Sequence, residues 1–356
     1  MKQALIIGAG AVGLLTAYCL RQYGWQVTVL DQHTTGSEAS WAGGGILSPL
    51  YPWRQSAEIN QLAHYSAGLY AEWEKSWRTD GYGDIEYLRS GMLVLDAANE
   101  QALVENWAVQ YQQAITWHSH PETQWPGVAL MNQPALYLPQ VSQIRPPRLL
   151  KTLVNVLRAQ GVDIQEHQTV RRLKTSAHGC EVMMADGTQK TADVVIVAAG
   201  AWTGSLLATI GIEIPIKPVY GEMLCLQSPV KVPCMMMRDG FYLIPRQDGS
   251  VLVGSTLEDR GFDKTLSDDG EQQLRRAAQN ILPALKQAVT EHHWAGLRPS
   301  SPSGIPWIGA VAGVSGLYIN SGHFRNGLVM AAGSASLLAD QLEGKQPALS
   351  LDHYHW

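Results

Sequence analysis

The chain has 356 residues, 46% hydrophobic and 16% charged, with a formal net charge of −5. That balance describes a globular protein long enough for two domains, and without a basic run it argues against a nucleic-acid partner. Cys19, Cys180, Cys225 and Cys234 lie far apart, without the paired spacing of a metal site or disulfide framework. They are expected to be buried thiols in a reducing compartment, and no bound metal is expected.

Ala4-Leu5-Ile6-Ile7 is a short apolar run that leads straight into Gly8-Ala9-Gly10-Ala11-Val12-Gly13. A helical stretch reaches about Arg21, and a second apolar run, Val27-Thr28-Val29-Leu30, ends in Asp31, eighteen residues beyond Gly13. Strand, glycine turn, helix, strand and acid together predict a dinucleotide-binding unit. Gly8 allows the tight turn, Gly10 lets the backbone approach a pyrophosphate, and Gly13 lets the helix pack against the sheet. The helix start at Ala11 and Val12 offers N–H groups and a positive dipole end to phosphates. Asp31, with Gln32 beside it, is expected to hold a ribose diol. The apolar N-terminus also suits an export signal or a membrane span, but three glycines interrupt it. No stretch reaches the roughly 18 apolar residues of a span, so no stable membrane association is expected.

Residues 36 to 50 are small and polar. Ala39-Ser40 and the run Gly43-Gly44-Gly45-Ile46 invite a close backbone approach to something flat or charged. The pattern predicts a helix from Ile59 to about Arg78, a strand at 91–95, and a helix from about Asn99 to Gln113. Further on it predicts an amphipathic helix from Leu149 to Gln160, a strand at 161–164, and a meander from Thr169-Val170 to the turn Ala185-Asp186-Gly187. No repeat or linker separates these segments, so the two domains are expected to be interleaved. Val194-Val195-Ile196-Val197 reads as a strand buried on both faces. It ends in Ala198-Ala199-Gly200-Ala201-Trp202, small residues where a strand's C-terminal edge meets a ligand.

These motifs resemble the FAD-binding half of the D-amino-acid oxidase and glycine oxidase superfamily, and the resemblance continues to the end of the chain. Pro218 to Leu224 resembles the start of the family's substrate-domain sheet, with Tyr220 where Arg or Lys is usual and Glu222 where Gln is usual. Phe241 to Arg246 and Val251 to Glu258 resemble the hairpin that roofs the flavin. Trp294-Ala295-Gly296-Leu297-Arg298-Pro299 is close to the family's W-x-G-L-R-P, and His323 to Leu328 precedes an apolar helix to about Leu342. The glycine oxidases of thiamine biosynthesis are the most similar subgroup.

The resemblance implies an α/β fold. A glutathione-reductase-type, Rossmann-like FAD-binding domain (1–85, 140–218 and 309–356) is interleaved with an α+β substrate domain (86–139 and 219–308) built on a mostly antiparallel sheet. It implies noncovalent FAD with its adenine near Val170. Ala199, Gly200, Trp202 and the 39–46 loop would lie along the cofactor. His323, Phe324, Arg325 and Asn326 would lead into a helix whose start, Gly327-Leu328, faces the flavin where charge gathers. The His323 side chain itself is expected to pack or cap.

For the substrate, the resemblance makes Arg298 the anchor of the α-carboxylate, with the Tyr242 hydroxyl beside it. Arg325 would cap the substrate side or pair with an acid. The side-chain range depends on pocket shape, which Leu257 and the loops around Met235-Met236-Met237 are expected to control. Glu222, Glu258 and Asp259 lie near the motifs, but no context marks any of them as a base. In the family the amine binds neutral and its α-hydrogen leaves as hydride to flavin N5. The imine hydrolyses to a keto acid and ammonia, while oxygen reoxidises the flavin and becomes hydrogen peroxide. The expected protein is a cytoplasmic oxidase of glycine or another small primary or secondary amino acid, a dimer or tetramer as in the family. The alternatives are a D-amino-acid dehydrogenase that reduces quinone and a non-catalytic flavin-binding partner protein.

Overall fold

A computed structural model describes residues 1–129, 133–176 and 179–355. Residues 130–132, 177–178 and 356 of the expected domain segments lie outside them. Two large sheets carry the architecture. The first has six strands in the order Trp307–Ala310, Leu317–Ser321, Val194–Val197, Gln3–Ile7, Gln26–Leu30 and Asp163–Gln165. All neighbours are parallel except the first two.

The central strands are apolar at successive positions because both faces are covered. Ile6, Val29 and Ile196 pack under the helices Ala11–Gln22, Ala57–Thr79, Pro146–Ala159 and Gly327–Leu342. Leu5, Ile7 and Val195 face the other way, onto the three-stranded sheet Val170–Ser176, Gly179–Met184 and Gln189–Thr191. The loops that leave the C-terminal edge of this parallel sheet therefore converge on one side.

The second sheet has eight strands in the order Val289–Ser300, Lys217–Gln227, Ser250–Gly254, Phe241–Pro245, Met235–Arg238, Met92–Val94, Ala135–Leu138 and Thr116–His118. It is antiparallel apart from the pairing of Met235–Arg238 with Met92–Val94. Its two long strands pair from Lys217 opposite Ser300 to Gln227 opposite Val289, with one irregularity at Cys225/Leu226. The helix Asp268–Ile281 covers one face, and Ser267 caps it by accepting from the Gly270 N–H.

The sequence pattern differs from the structure in a few places. The helix expected at 99–113 is shorter, Gln101–Gln110, preceded by the 3-10 turn Ala98–Glu100. Part of the small-residue segment closes into the short helix Ala39–Ala42. The chain re-enters the six-stranded sheet at Trp307, because that residue registers with Ser321. All four cysteines are free and buried. No helix among the described residues is long and apolar enough to cross a membrane.

Candidate active site

A cavity of about 340 Å³ runs from the glycine turn of the six-stranded sheet to the hairpin of the eight-stranded sheet. At the first end, Gly8, Gly10, Ala11, Val12, Asp31, Gln32, Ser40 and Val170 line it. Gly13 does not line it. Its position against the Gly8 carbonyl leaves no room for a Cβ, which is the close packing expected of the third glycine. Asp31 accepts from the Ala9 N–H at 2.7 Å through one oxygen and from the His33 N–H at 2.8 Å through the other. Burial raises this carboxyl, partly opposed by those two backbone donors. Each oxygen keeps acceptor capacity for a further donor. Ser40 reaches the same turn, its Oγ accepting from the Ala11 N–H at 2.8 Å.

Along the middle lie Ala39, Gly44, Gly45, Ile46, Ala199, Gly200 and Trp202. The start of the helix Gly327–Leu342 forms part of the wall through Asn326, Gly327 and Leu328, preceded by His323, Phe324 and Arg325. Tyr70 donates to the Leu328 carbonyl at 2.8 Å and anchors that turn. His323 is fully packed and its Nε2 lies 3.0 Å from Ser334 Oγ. Because Ser334 donates its single hydrogen to the Ala331 carbonyl at 3.1 Å, it must accept from His323, which puts the imidazole proton on Nε2. Burial pushes this imidazole down to about 3, so it is neutral at ordinary pH.

At the far end stand Tyr242, Met223, Ser255, Arg298 and Arg325. Arg298 projects from the long strand Val289–Ser300. Its Nη1 donates to the Tyr220 carbonyl at 3.2 Å and the Thr256 carbonyl at 3.3 Å, and its Nη2 donates to Ser255 Oγ at 2.8 Å. Those bonds use three of a guanidinium's five donors. The two left over are Nε–H and one hydrogen on Nη2, the pair that forms a side-on fork to a carboxylate. Burial lowers the Arg298 pKa from its ordinary value, while Tyr242 opposes this and Arg325 adds to it. No acid among the described residues forms a salt bridge with Arg298 or Arg325. Among the described residues the Arg325 side chain makes one hydrogen bond, a long one of 3.4 Å from Nη2 to the Gly240 carbonyl. Tyr242 is buried, its hydroxyl 4.0 Å from Met223 Sδ.

Leu257 is a correction. It is 51% exposed and does not line the cavity, because the strand ends at Gly254 and the chain turns outward before it. Met235, Met236 and Met237 themselves are core residues. The three acids weighed as bases are also elsewhere. Glu258 bonds Arg260 at 2.6 Å, Asp259 is exposed, and Glu222 is buried against Ser267 and Gly270 at the start of the helix Asp268–Ile281. The carboxylates that line the cavity, Asp31 and Glu38, belong to its nucleotide end. Residues the sequence did not single out are Ser255, Met223, Gly221 and the buried Arg246. All four sit in recognised motifs, yet which face of the sheet each residue presents depends on strand register. Arg246 carries no local sign that distinguishes it from a surface arginine.

A family model described as FAD dependent oxidoreductase matches residues 3–341. Glycine oxidase from Pseudomonas putida is 41% identical over 355 residues, covering 98% of this chain and 96% of its own. Glycine oxidase from Pseudomonas aeruginosa is 39% identical over 352 residues, with coverage of 98% and 96%. The crystal structure of glycine oxidase from Geobacillus kaustophilus superposes with a TM-score of 0.93 at 25% identity, covering 100% of this chain and 98% of that one.

Proposed function

The chain belongs to the FAD dependent oxidoreductase family, and from that premise we propose that it oxidises glycine or another small primary or secondary amino acid. It is an FAD-dependent amino-acid oxidase, with an amino acid and oxygen as its substrates. The observation that carries the finer reading is Arg298. It is a guanidinium at the end of a nucleotide-binding cavity, without an acid partner among the described residues and with one bidentate edge left over.

The cavity fits FAD. Its glycine turn has no room for a Cβ at Gly8 or Gly13, its Asp31 oxygens retain lone pairs, and its walls between the two ends are mostly small or apolar. Gly10, Ala11 and Val12 would hold the pyrophosphate, Asp31 the ribose and Val170 the adenine. The helix start at Gly327 would place its partial positive charge where the reduced ring gathers electrons. FAD held there would supply the two-electron sink for the substrate and the redox link to oxygen.

The chain's own residues do the orienting. Arg298 takes the substrate carboxylate on its free fork, and the Tyr242 hydroxyl closes on the same group. The far end of the cavity offers no carboxylate to take a proton, so the amine must give up its ammonium proton to water before it is oxidised. The products are an imine, then a keto acid and ammonia, with hydrogen peroxide from oxygen. Four buried free thiols suit a cytoplasmic protein, and the family resemblance suits a homo-oligomer, a dimer or tetramer.

The test is a panel of glycine, sarcosine, proline and D-amino acids scored for peroxide in air and for anaerobic bleaching of the yellow protein. Fastest turnover with glycine or another small substrate, with stoichiometric peroxide, is the expected result. Bleaching without peroxide would make the protein a dehydrogenase. No bleaching by any amino acid would make it a binding protein.

A further inference from the structure

Arg246 follows the strand Phe241–Pro245 and is only 6% exposed, yet no carboxylate among the described residues is bonded to it. Its Nη1 donates to Gln143 Oε1 at 2.9 Å and to the Ile144 carbonyl at 3.0 Å, and its Nη2 donates to the Gly44 carbonyl at 2.6 Å. The nearest acids are already engaged. Glu86 pairs with Arg145 and Arg148, and Asp248 pairs with Arg145 at 2.6 Å. A buried cation satisfied only by neutral acceptors is costly, and folding alone would be served as well by an apolar residue of similar volume.

The segment this cation holds lines the cavity. The Ile144 N–H donates to the Gly45 carbonyl at 2.9 Å, so Arg246 and Ile144 grip the Gly44-Gly45 turn from opposite ends. A Cβ on Gly44 would lie 2.7 Å from Ile244 Cδ1 and 3.2 Å from Tyr242 Cε2, which places this turn at the Tyr242 end of the cavity. The Gly44–Gly45 peptide is trans, so its N–H points opposite to the carbonyl that Arg246 holds. That Gly45 N–H makes no hydrogen bond among the described residues. A cation on a peptide's oxygen polarises the peptide and sharpens the donor on its other side.

We infer that Arg246 is a positioning residue for the reacting end of FAD: it fixes the Gly44-Gly45 turn and sets its N–H as a polarised donor toward the cofactor. Substrate and redox-active ring must meet beside Tyr242 and Arg298, and reduction adds negative charge to that ring. A fixed positive charge behind the turn then favours reduced over oxidised cofactor, at no cost of reorganisation during the reaction. The inference rests on FAD occupying this cavity and not on which amino acid is oxidised.

The test therefore needs no amino acid. Arg246→Met and Arg246→Lys are compared with the wild type for the FAD dissociation constant of the apoprotein and for the midpoint potential of the bound flavin. The Met variant is expected to bind FAD at least tenfold more weakly. It should also hold reduced relative to oxidised FAD at least tenfold less well, which for a two-electron couple is about 30 mV more negative. The Lys variant keeps the charge but not the fork. It should stay within about 30 mV of the wild-type potential while binding FAD more weakly. A folded Met variant at the wild-type potential would reduce Arg246 to a structural role and overturn the inference. If the Met variant does not fold, the Lys variant decides, and wild-type FAD affinity in it would overturn the inference. A failed amino-acid panel with these shifts intact would count against the substrate reading alone.

Discussion

A Cβ on Gly221 would overlap both Nη1 and Nη2 of Arg298, so the guanidinium lies where a side chain from the neighbouring strand would otherwise stand. The two residues are on paired strands two residues out of register, Val219 being the direct partner of Arg298 and Gly296 that of Gly221. Only glycine at 221 lets the arginine lie back against the Tyr220 and Thr256 carbonyls with its free edge turned to the cavity.

Arg298→Ala removes a charge-assisted pair of hydrogen bonds, of about 1.5–3 kcal/mol. The dissociation constant for the amino acid in anaerobic flavin reduction should rise roughly ten- to over a hundredfold, with FAD content unchanged. Arg298→Lys should fail similarly, since an ammonium cannot reproduce the fork. Gly221→Ala should imitate both by displacing the guanidinium. Wild-type substrate affinity in Arg298→Ala would move the carboxylate anchor to Arg325 or elsewhere.

Glu222 is buried behind that glycine and is fully occupied. It accepts from Tyr220 Oη at 2.7 Å and from Ser267 Oγ at 2.8 Å, and it meets His293 Nε2 at 2.6 Å. Burial alone would raise its carboxyl, but the bonds from Tyr220, Ser267 and His293 hold it below the usual carboxylate range. A depressed carboxyl stabilises the fold above its unfolded pKa and loses that stabilisation as pH falls through the folded value. Glu222→Ala should cost about 3–5 kcal/mol by leaving its donors buried and unpaired. Glu222→Gln, Glu258→Gln and Asp259→Asn should each leave flavin reduction within about tenfold of wild type, short of the ~10²–10⁴ that a general base supplies. A thousandfold loss in any of the three, with FAD and substrate still bound, would make that carboxylate the base. The same unassisted cleavage predicts a primary isotope effect with α-deuterated glycine, and kcat/KM rising with pH as one group loses its proton.

His323 should make the fold sensitive to acid. The unfolded imidazole takes a proton below about 6.5, whereas the buried one resists until about 3. Between those values the unfolded chain holds more protons, so stability falls as the pH is lowered. Urea titrations of wild type and His323→Asn from pH 4 to 8 should differ in slope by up to about 1.4 kcal/mol per pH unit below pH 6. Equal slopes would show that the imidazole is protonated in the fold.

FAD should be held without a covalent bond. No cysteine lines the cavity, and the imidazole that does, His323, is turned to Ser334. Acid precipitation should release all the yellow colour to the supernatant, and colour left in the pellet would contradict this.

The nucleotide end of the site was legible in the sequence because it is local. Residues 4–31 form one strand–turn–helix–strand unit, and its glycines, helix start and acid act within a few residues of one another. The strand at 194–197 and the helix opening at Gly327 were also legible, the first as a short β-branched apolar run and the second as an apolar run of helical length. The substrate end was legible only through family resemblance, which placed Arg298 and Tyr242 at the cavity, whereas the expected pocket-shaping Leu257 lies outside it. Tertiary structure alone decided the rest. Whether Glu222 faces the cavity or the sheet interior turns on a single step of strand register, because neighbouring side chains point to opposite faces. The burial of Arg246 depends on Gln143, Ile144 and Gly44, about one hundred to two hundred residues away in the chain. No local pattern encodes a cation whose partners are carbonyls brought together only when the two sheets close on each other.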